Sequence, residues 1–318
     1  MAYPDRMKVT ELARCPSCEA QDPEPYSIGG TTRLHRCRRC GLVFAPEFAS
    51  PEEIYVDGYL TGKSELGFGL EIFHPYFQAF LGYAADARMR RIARLSPPPG
   101  SLLDVGCGSG EVLQGAMRAG WTGVGVEPVE ESAKIAQDRG LDVQCCLLEE
   151  STLERGTFDV VTAFHVLEHM TEATPFLRML SGYARPGGYV VVEVPNLRSI
   201  HRKGFGAAWP GLRELEHISH FTPKTLRDTF RRAGLVDVRV QTIGFLWPGQ
   251  TLPEMLNDLG LSRLSPRLGR LGTPGKVIGR DGLVPRRSTW RALLAAQAAL
   301  DRLKLGPAVL GIGRVPKG

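Results

Sequence analysis

The chain has no apolar run long enough to cross a bilayer; its hydrophobic stretches are short, strand-like pieces broken by charge or glycine. Its N-terminus holds no apolar signal core either, so the expected setting is cytoplasmic. Cysteine is sparse, with seven in 318 residues, and in a reducing compartment these are expected to bind metal rather than to form disulfides. The net charge of +5 is modest. No cluster of carboxylates stands where a catechol-type site would need one, which argues against a divalent catalytic metal. The length exceeds the usual single-domain size, so one large core with additions, or two domains, is expected.

Against these absences stands Leu102-Leu103-Asp104-Val105-Gly106-Cys107-Gly108-Ser109-Gly110, which reads as a buried strand running into a glycine turn. Glycines at alternate positions let the backbone turn tightly and approach a ligand where a Cβ would collide. A helix starting near Gly110 would offer its unpaired N–H groups to the same spot. The dinucleotide spacing G-x-G-x-x-G is missing, because the third glycine comes one residue early and Glu111 follows it. Asp104 would also repel a pyrophosphate at short range. A cationic ligand suits this place, and S-adenosylmethionine carries an ammonium and a sulfonium. Its ribose needs an acid, and Glu127 ends the next apolar run, Gly123 to Val126, where a βαβ unit places such a carboxylate. The plainer use of Glu127 is to cap a helix after Pro128.

Cys15-Pro16-Ser17-Cys18 and Cys37-Arg38-Arg39-Cys40 are two Cys-x-x-Cys pairs at the spacing of a four-cysteine zinc ribbon. Two tight turns would close a tetrahedron of thiolates around Zn²⁺, so the expected site is structural, with no open position for substrate. Arg33, His35, Arg36, Arg38 and Arg39 crowd the second pair. They either offset the negative charge of a zinc tetrathiolate or form a nucleic-acid face, and the lack of interleaved aromatics favours the first. Cys107 lies in the glycine turn, while Cys145 and Cys146 are expected to end the third strand as small apolar residues.

Further along come Phe158-Asp159-Val160-Val161-Thr162-Ala163-Phe164, then His165-Val166-Leu167-Glu168-His169, then Arg185-Pro186-Gly187-Gly188 leading into Tyr189 to Asn196. Together with the glycine turn and Glu127, in this order and spacing over residues 100 to 240, these signals resemble the class I S-adenosylmethionine-dependent methyltransferases. The resemblance is strongest to the subgroup that includes the ubiquinone-pathway O-methyltransferases. It implies an α/β fold, a seven-stranded Rossmann-like sheet with helices on both faces. It also implies that Asp104, Gly106, Cys107, Gly108 and Gly110 hold the methionine and ribose parts of the cofactor, and that Glu127, followed by Pro128, binds the ribose hydroxyls. The family often has an Asp near the adenine amino group after the third strand. This chain has Leu147 there, so adenine recognition is expected from the backbone near Leu147 and Leu148, or from Glu149. A ribbon ahead of such a domain also resembles the ribosomal RNA guanine methyltransferases, although their last zinc ligand is a His after a longer gap.

The expected organisation is a ribbon over 1–45, a linker and helical lid over 46–98, and a methyltransferase domain over 99–244 and 307–318. A helical insertion over 245–306 is expected to shape acceptor specificity. One helix is predicted over 71–94, stopped by Pro97-Pro98-Pro99-Gly100, and Tyr59, His74 and Tyr76 are candidates to line a lid over the cofactor. Strands are predicted over Val236 to Ile243 and Ala308 to Val315, and an amphipathic helix over about Arg287 to Leu303. Glu216-His217-Ile218-Ser219-His220-Phe221 follows the fifth strand, at the edge where open α/β sheets bind ligands.

The expected reaction is methyl transfer to a small-molecule acceptor, most simply a sugar, quinone-like or natural-product hydroxyl, with a histidine as general base. A histidine of unperturbed pKa titrates near neutrality. His169 and His220 lead the candidates, followed by His165, Glu168 and His217; His165 and Glu168 could instead hold the cofactor or cap a helix. The alternatives are an RNA base methyltransferase docked through the ribbon, and a non-catalytic ribbon protein that senses S-adenosylmethionine. The sequence says nothing of oligomeric state.

Overall fold

The computed structural model describes residues 8–28, 33–50, 54, 75–209, 211–213, 215–244 and 302–317. The N-terminal strands are β1 (Val9–Glu11), β2 (Pro23–Tyr26), β3 (Leu34–Cys37), β4 (Val43–Phe44) and β5 (Glu47–Ala49). The large sheet follows with β6 (Ser101–Val105), β7 (Thr122–Val126), β8 (Val143–Gln144), β9 (Phe158–Phe164) and β10 (Ala184–Pro195). After a short β11 (Ser219–His220), it is completed by β12 (Val236–Ile243) and β13 (Ala308–Arg314). The helices are α1 (Pro75–Ile92), α2 (Glu111–Arg118), α3 (Glu130–Asp138), α4 (Ala173–Tyr183), α5 (Ile200–Phe205) and α6 (Pro223–Arg232).

The seven-stranded sheet has the order β12-β13-β10-β9-β6-β7-β8, with β13 antiparallel to both neighbours and the pairs from β10 to β8 parallel. Its central strands are rich in valine and buried on both faces, as a sheet covered by helices requires. Side-chain alternation divides the core. Val161, Val190 and Val192 pack with Phe176, Leu177 and Leu180 of α4 and with Leu226 and Phe230 of α6. Val160 and Val191 pack in a second cluster with Ala85, Met89 and Ile92 of α1, Val112 and Leu113 of α2 and Ala133 of α3. This is the doubly wound α/β sheet expected from the sequence. The chain leaves β6 toward β7 and β8 on one side and later returns to β9 and β10 on the other, so the carboxyl ends of β6 and β9 flank a topological switch point.

A second, four-stranded sheet has the order β11-β4-β3-β2, so the N-terminal strands and a strand from the segment after β10 form one sheet. β1 pairs with β5 as far as Val9 opposite Ala49, carrying the N-terminal unit past the expected boundary at 45. The helix predicted over 71–94 is observed as Pro75–Ile92, and the last strand as Ala308–Arg314. Cys145, expected as a small apolar strand end, is exposed, because β8 stops at Gln144. Tyr59, His74, the helix over Arg287 to Leu303 and nearly all of the 245–306 insertion lie outside the described residues.

Candidate active site and metal centre

At the switch point β6 ends in a turn whose Gly106, Gly108 and Gly110 all have positive φ. A Cβ on Gly106 would lie 2.5 Å from Val166 Cγ2, whereas one on Gly108 would meet nothing within 4 Å among the described residues. The turn is therefore closed toward the core and open at Gly108, where a ligand can approach the backbone. Glu127, at the end of β7, is buried and accepts hydrogen bonds from the Gly108 N–H at 2.8 Å and the Val129 N–H at 2.9 Å. It thus ties the turn to the start of α3, while Pro128 between them is exposed. Asp104 is buried on β6 and accepts a 2.6 Å hydrogen bond from the Thr162 hydroxyl. Burial, reinforced by the negative charges of Glu127 and Glu111, pushes Asp104 up to about 7. Burial also raises Glu127. Cys107 turns inward, where its sulfur packs against β7 at Gly125.

Beyond β8 the chain makes a 3-10 turn over Leu148–Glu150. Leu147 is exposed, Leu148 is buried, and the Leu147 N–H, expected from the sequence to be open to an adenine, instead donates to the Glu150 carboxylate at 3.0 Å. The Leu148 carbonyl accepts from Tyr183 and Ser151, so the Leu148 side chain and carbonyl serve the core. Glu149 is exposed.

Two residues that sequence reasoning passed over anchor the other half of the site. Arg88, in the second half of α1, sends Nε and Nη2 to the two oxygens of Glu193 at 2.9 and 2.7 Å. Glu193 is fully buried on β10 and had read as one more strand residue. Despite burial, the Arg88 charge and the His165 hydrogen bond hold Glu193 down to about 2. A glutamate inside a valine-rich strand was the signal available in the sequence.

His165, with φ of 59°, sits past the end of β9 and reaches Glu168 through Nδ1 at 3.2 Å and Glu193 through Nε2 at 3.1 Å. Burial opposes its charge, yet hydrogen bonds to the two carboxylates win and raise it to about 9. It is an imidazolium at neutral pH, paired on both nitrogens.

His169 and His217 are different. His169 Nδ1 donates to the Glu216 carbonyl at 2.9 Å and His217 Nδ1 to the Gly211 carbonyl at 3.0 Å, an assignment that leaves the lone pair on Nε2 in both rings. Burial lowers both, His217 well below the usual histidine range. The rings stand edge to face with centroids 4.8 Å apart. His220, buried on β11, is pushed down to about 4 by desolvation, and its Nε2 has no hydrogen-bond partner. The histidines do not cap α6; Thr222 does, its hydroxyl accepting from the Thr225 N–H at 3.1 Å.

Glu168 Oε2 is also buried without a partner. Glu168, His169 and His217 bring candidate ligand atoms within 4.8 Å of one another, a carboxylate and two imidazoles of the kind a divalent ion takes. The sequence argument against such an ion looked for clustered carboxylates. It could not see His217 folding back onto Glu168 and His169.

At the other end, Cys15, Cys18, Cys37 and Cys40 converge, their sulfurs within 4.8 Å of one another, and Cys15, Cys37 and Cys40 are buried. The Cys15–Cys40 and Cys18–Cys37 sulfurs are each 3.5 Å apart. Four soft donors with no room for another group fit a closed, structural Zn²⁺ site. Arg36 and Arg38, expected to offset a tetrathiolate, lie 3.6–3.9 Å from Glu24 and Asp22 at or beside β2. Their charge is compensated locally by acids.

The strand order and the glycine turn define a class I methyltransferase fold. A family model described as a methyltransferase domain matches residues 77–240, just over half of the chain, and the chain belongs to that family. Among curated relatives, the ubiquinone biosynthesis O-methyltransferase of Bradyrhizobium sp. (strain ORS 278) is 34% identical over 127 residues, 36% of this chain and 50% of that protein. The mitochondrial enzyme of the same name from Homo sapiens is 34% identical over 105 residues, 30% of this chain and 28% of that protein. The chain therefore spans half or less of these two relatives. A solved S-adenosylmethionine-dependent methyltransferase from Archaeoglobus fulgidus aligns with TM-score 0.48 and 20% identity, over 73% of this chain and 94% of that one.

Proposed function

We propose that the chain is an S-adenosylmethionine-dependent methyltransferase acting on the hydroxyl of a small molecule. The observation that carries this reading is the charge balance of the open turn. Arg88 answers Glu193, Arg139 answers Glu111 at 2.8 Å, and His165 answers Glu168, but among the described residues Asp104 and Glu127 have no ion-pair partner, and the Arg88 charge that reaches Asp104 is committed to Glu193. A ligand carrying an ammonium and a sulfonium restores that balance, and a dinucleotide pyrophosphate worsens it. Asp104 and the Gly106–Gly110 backbone would hold the amino acid part, Glu127 the ribose hydroxyls, and Leu147 the face of the adenine.

The bound donor supplies an electrophilic methyl on a good leaving group, and S-adenosylhomocysteine leaves. What remains for the protein is to align the acceptor, exclude water and take one proton. His165 is already protonated and serves as a fixed cation that orients Glu168 and Glu193. Burial holds His169, His217 and His220 below the usual histidine range, and the proton-accepting role is assigned to His220, whose buried Nε2 has no partner among the described residues. A reduced, cytoplasmic setting suits the free thiols. Calorimetry tests the donor reading: S-adenosylhomocysteine should bind the wild type and bind Glu127→Ala much more weakly. Binding that survives Glu127→Ala unchanged, or a preference for NAD, would sink it. Mass spectrometry of small-molecule extracts incubated with isotopically labelled S-adenosylmethionine would then identify the acceptor by its added methyl.

A further inference from the structure

We infer that the four-cysteine ribbon is the positioning element of the acceptor side: its sheet takes in β11 and thereby fixes His220, while the donor turn is held by hydrogen bonds of its own. The word "acceptor" rests on the function proposed above; the mechanical coupling does not. β11 is the outer strand of the ribbon sheet, with Ser219 opposite Phe44 and His220 opposite Val43. Two further backbone bonds continue the seam, Ala45 N–H to the Ile218 carbonyl at 2.9 Å and Ala49 N–H to the Leu215 carbonyl at 3.1 Å. Leu215 and Ile218 to His220 thus take backbone partners from residues 43–49, which begin just after the ligand Cys40, while the Glu216 and His217 N–H groups between them donate to the Arg213 carbonyl.

The first knuckle grips the helices on either side of the same segment. Ser17, buried between ligands Cys15 and Cys18, bonds the Thr229 hydroxyl at 2.7 Å, and its carbonyl accepts from the Thr174 hydroxyl at 2.7 Å. Arg232 Nη1 donates to Ser17 Oγ at 3.1 Å. One knuckle therefore leads into the strand that carries β11, and the other is fastened to α4 and α6. A two-residue strand has too few bonds to hold itself, so its position follows the sheet it joins. The donor turn draws its hydrogen bonds from other partners, at the ends of β6 and β7: Gly106 and Cys107 N–H both donate to the Val126 carbonyl, and Glu127 holds Gly108; what it shares with the ribbon is apolar packing beneath, where Leu103, Val105 and Val126 join the core cluster of Cys15, Cys40 and Phe44.

The test is hydrogen exchange on the full chain, zinc-loaded and after treatment with a chelator, with S-adenosylhomocysteine titrated into both. Metal removal should speed exchange over 43–49 and 215–221 by about tenfold or more, leave 101–127 within about twofold, and leave the ligand's Kd within about twofold. Phe44→Ala keeps all four cysteines and should give the same pattern more weakly; it decides the matter if metal loss unfolds the whole chain. Unchanged exchange at 215–221 in both samples, or opening of 101–127 in step with it in Phe44→Ala, would overturn the inference. Absence of S-adenosylhomocysteine binding to the zinc-loaded wild type would instead overturn the donor reading and leave the exchange result standing.

Discussion

On the proposed donor side, Asp104, Gly108 and Glu127 come from the ends of two adjacent parallel strands and the turn between them. On the proposed acceptor side, Glu168 and His169 follow β9, His217 and His220 lie far along the chain, and the strand carrying His220 is paired to the N-terminal ribbon. The first is a local device, fixed once β6 and β7 pair. The second is assembled from three distant segments and carries orphaned buried polar atoms, Glu168 Oε2 and His220 Nε2, which core packing alone would not favour. The difference teaches where selection for chemistry is written. A cradle built on neighbouring strands needs only the sheet, whereas a group drawn from distant segments needs long-range contact to assemble.

The comparison can be broken most forcefully at the metal. Cys37→Ser should lower zinc from about one per chain to none by elemental analysis, at a cost in folding free energy that for structural zinc reaches the order of 10 kcal/mol. A second bound equivalent in the wild type, lost with His217→Ala, would mark the Glu168, His169 and His217 group as occupied. Next in size, Arg88→Ala leaves buried Glu193 with His165 as its one remaining cation among the described residues and should destabilise the fold by up to about 3–5 kcal/mol in denaturant titration. The acid limb has a defined sign: Glu193 is depressed, so its contribution is present above the usual carboxylate range and fades as pH falls toward 2. His165 is raised, so its contribution holds below the usual histidine range and is lost as pH rises through about 9.

His220→Ala should separate the two sides, cutting turnover of an identified acceptor by about 10²–10⁴-fold while S-adenosylhomocysteine affinity stays within about twofold. Glu127→Ala should do the reverse to binding, weakening it by about 10–100-fold through loss of hydrogen bonds to a charged group. Smallest is the pH effect. Asp104 takes up a proton as pH falls through about 7, so cation affinity should decline below that point, by no more than about tenfold per pH unit, and Asp104→Asn should flatten the curve.

Sequence alone determined the parts whose physics is local. The turn from Asp104 to Gly110 needs positive φ at glycine, β9 and β10 need buried valine runs, and two Cys-x-x-Cys turns need only their own spacing. Each was legible because a few adjacent residues satisfy the constraint. Tertiary structure decided the rest. Arg88 became a buried partner of Glu193 only when α1 packed on the sheet, and His165 became a cation only when two carboxylates closed on it. The ribbon, which in sequence is a separable module before a methyltransferase domain, gained its role when β11 completed its sheet. Strand pairing follows exposed backbone N–H and C=O groups, which every sequence carries alike, so which strand meets which was settled by the packing of the whole chain.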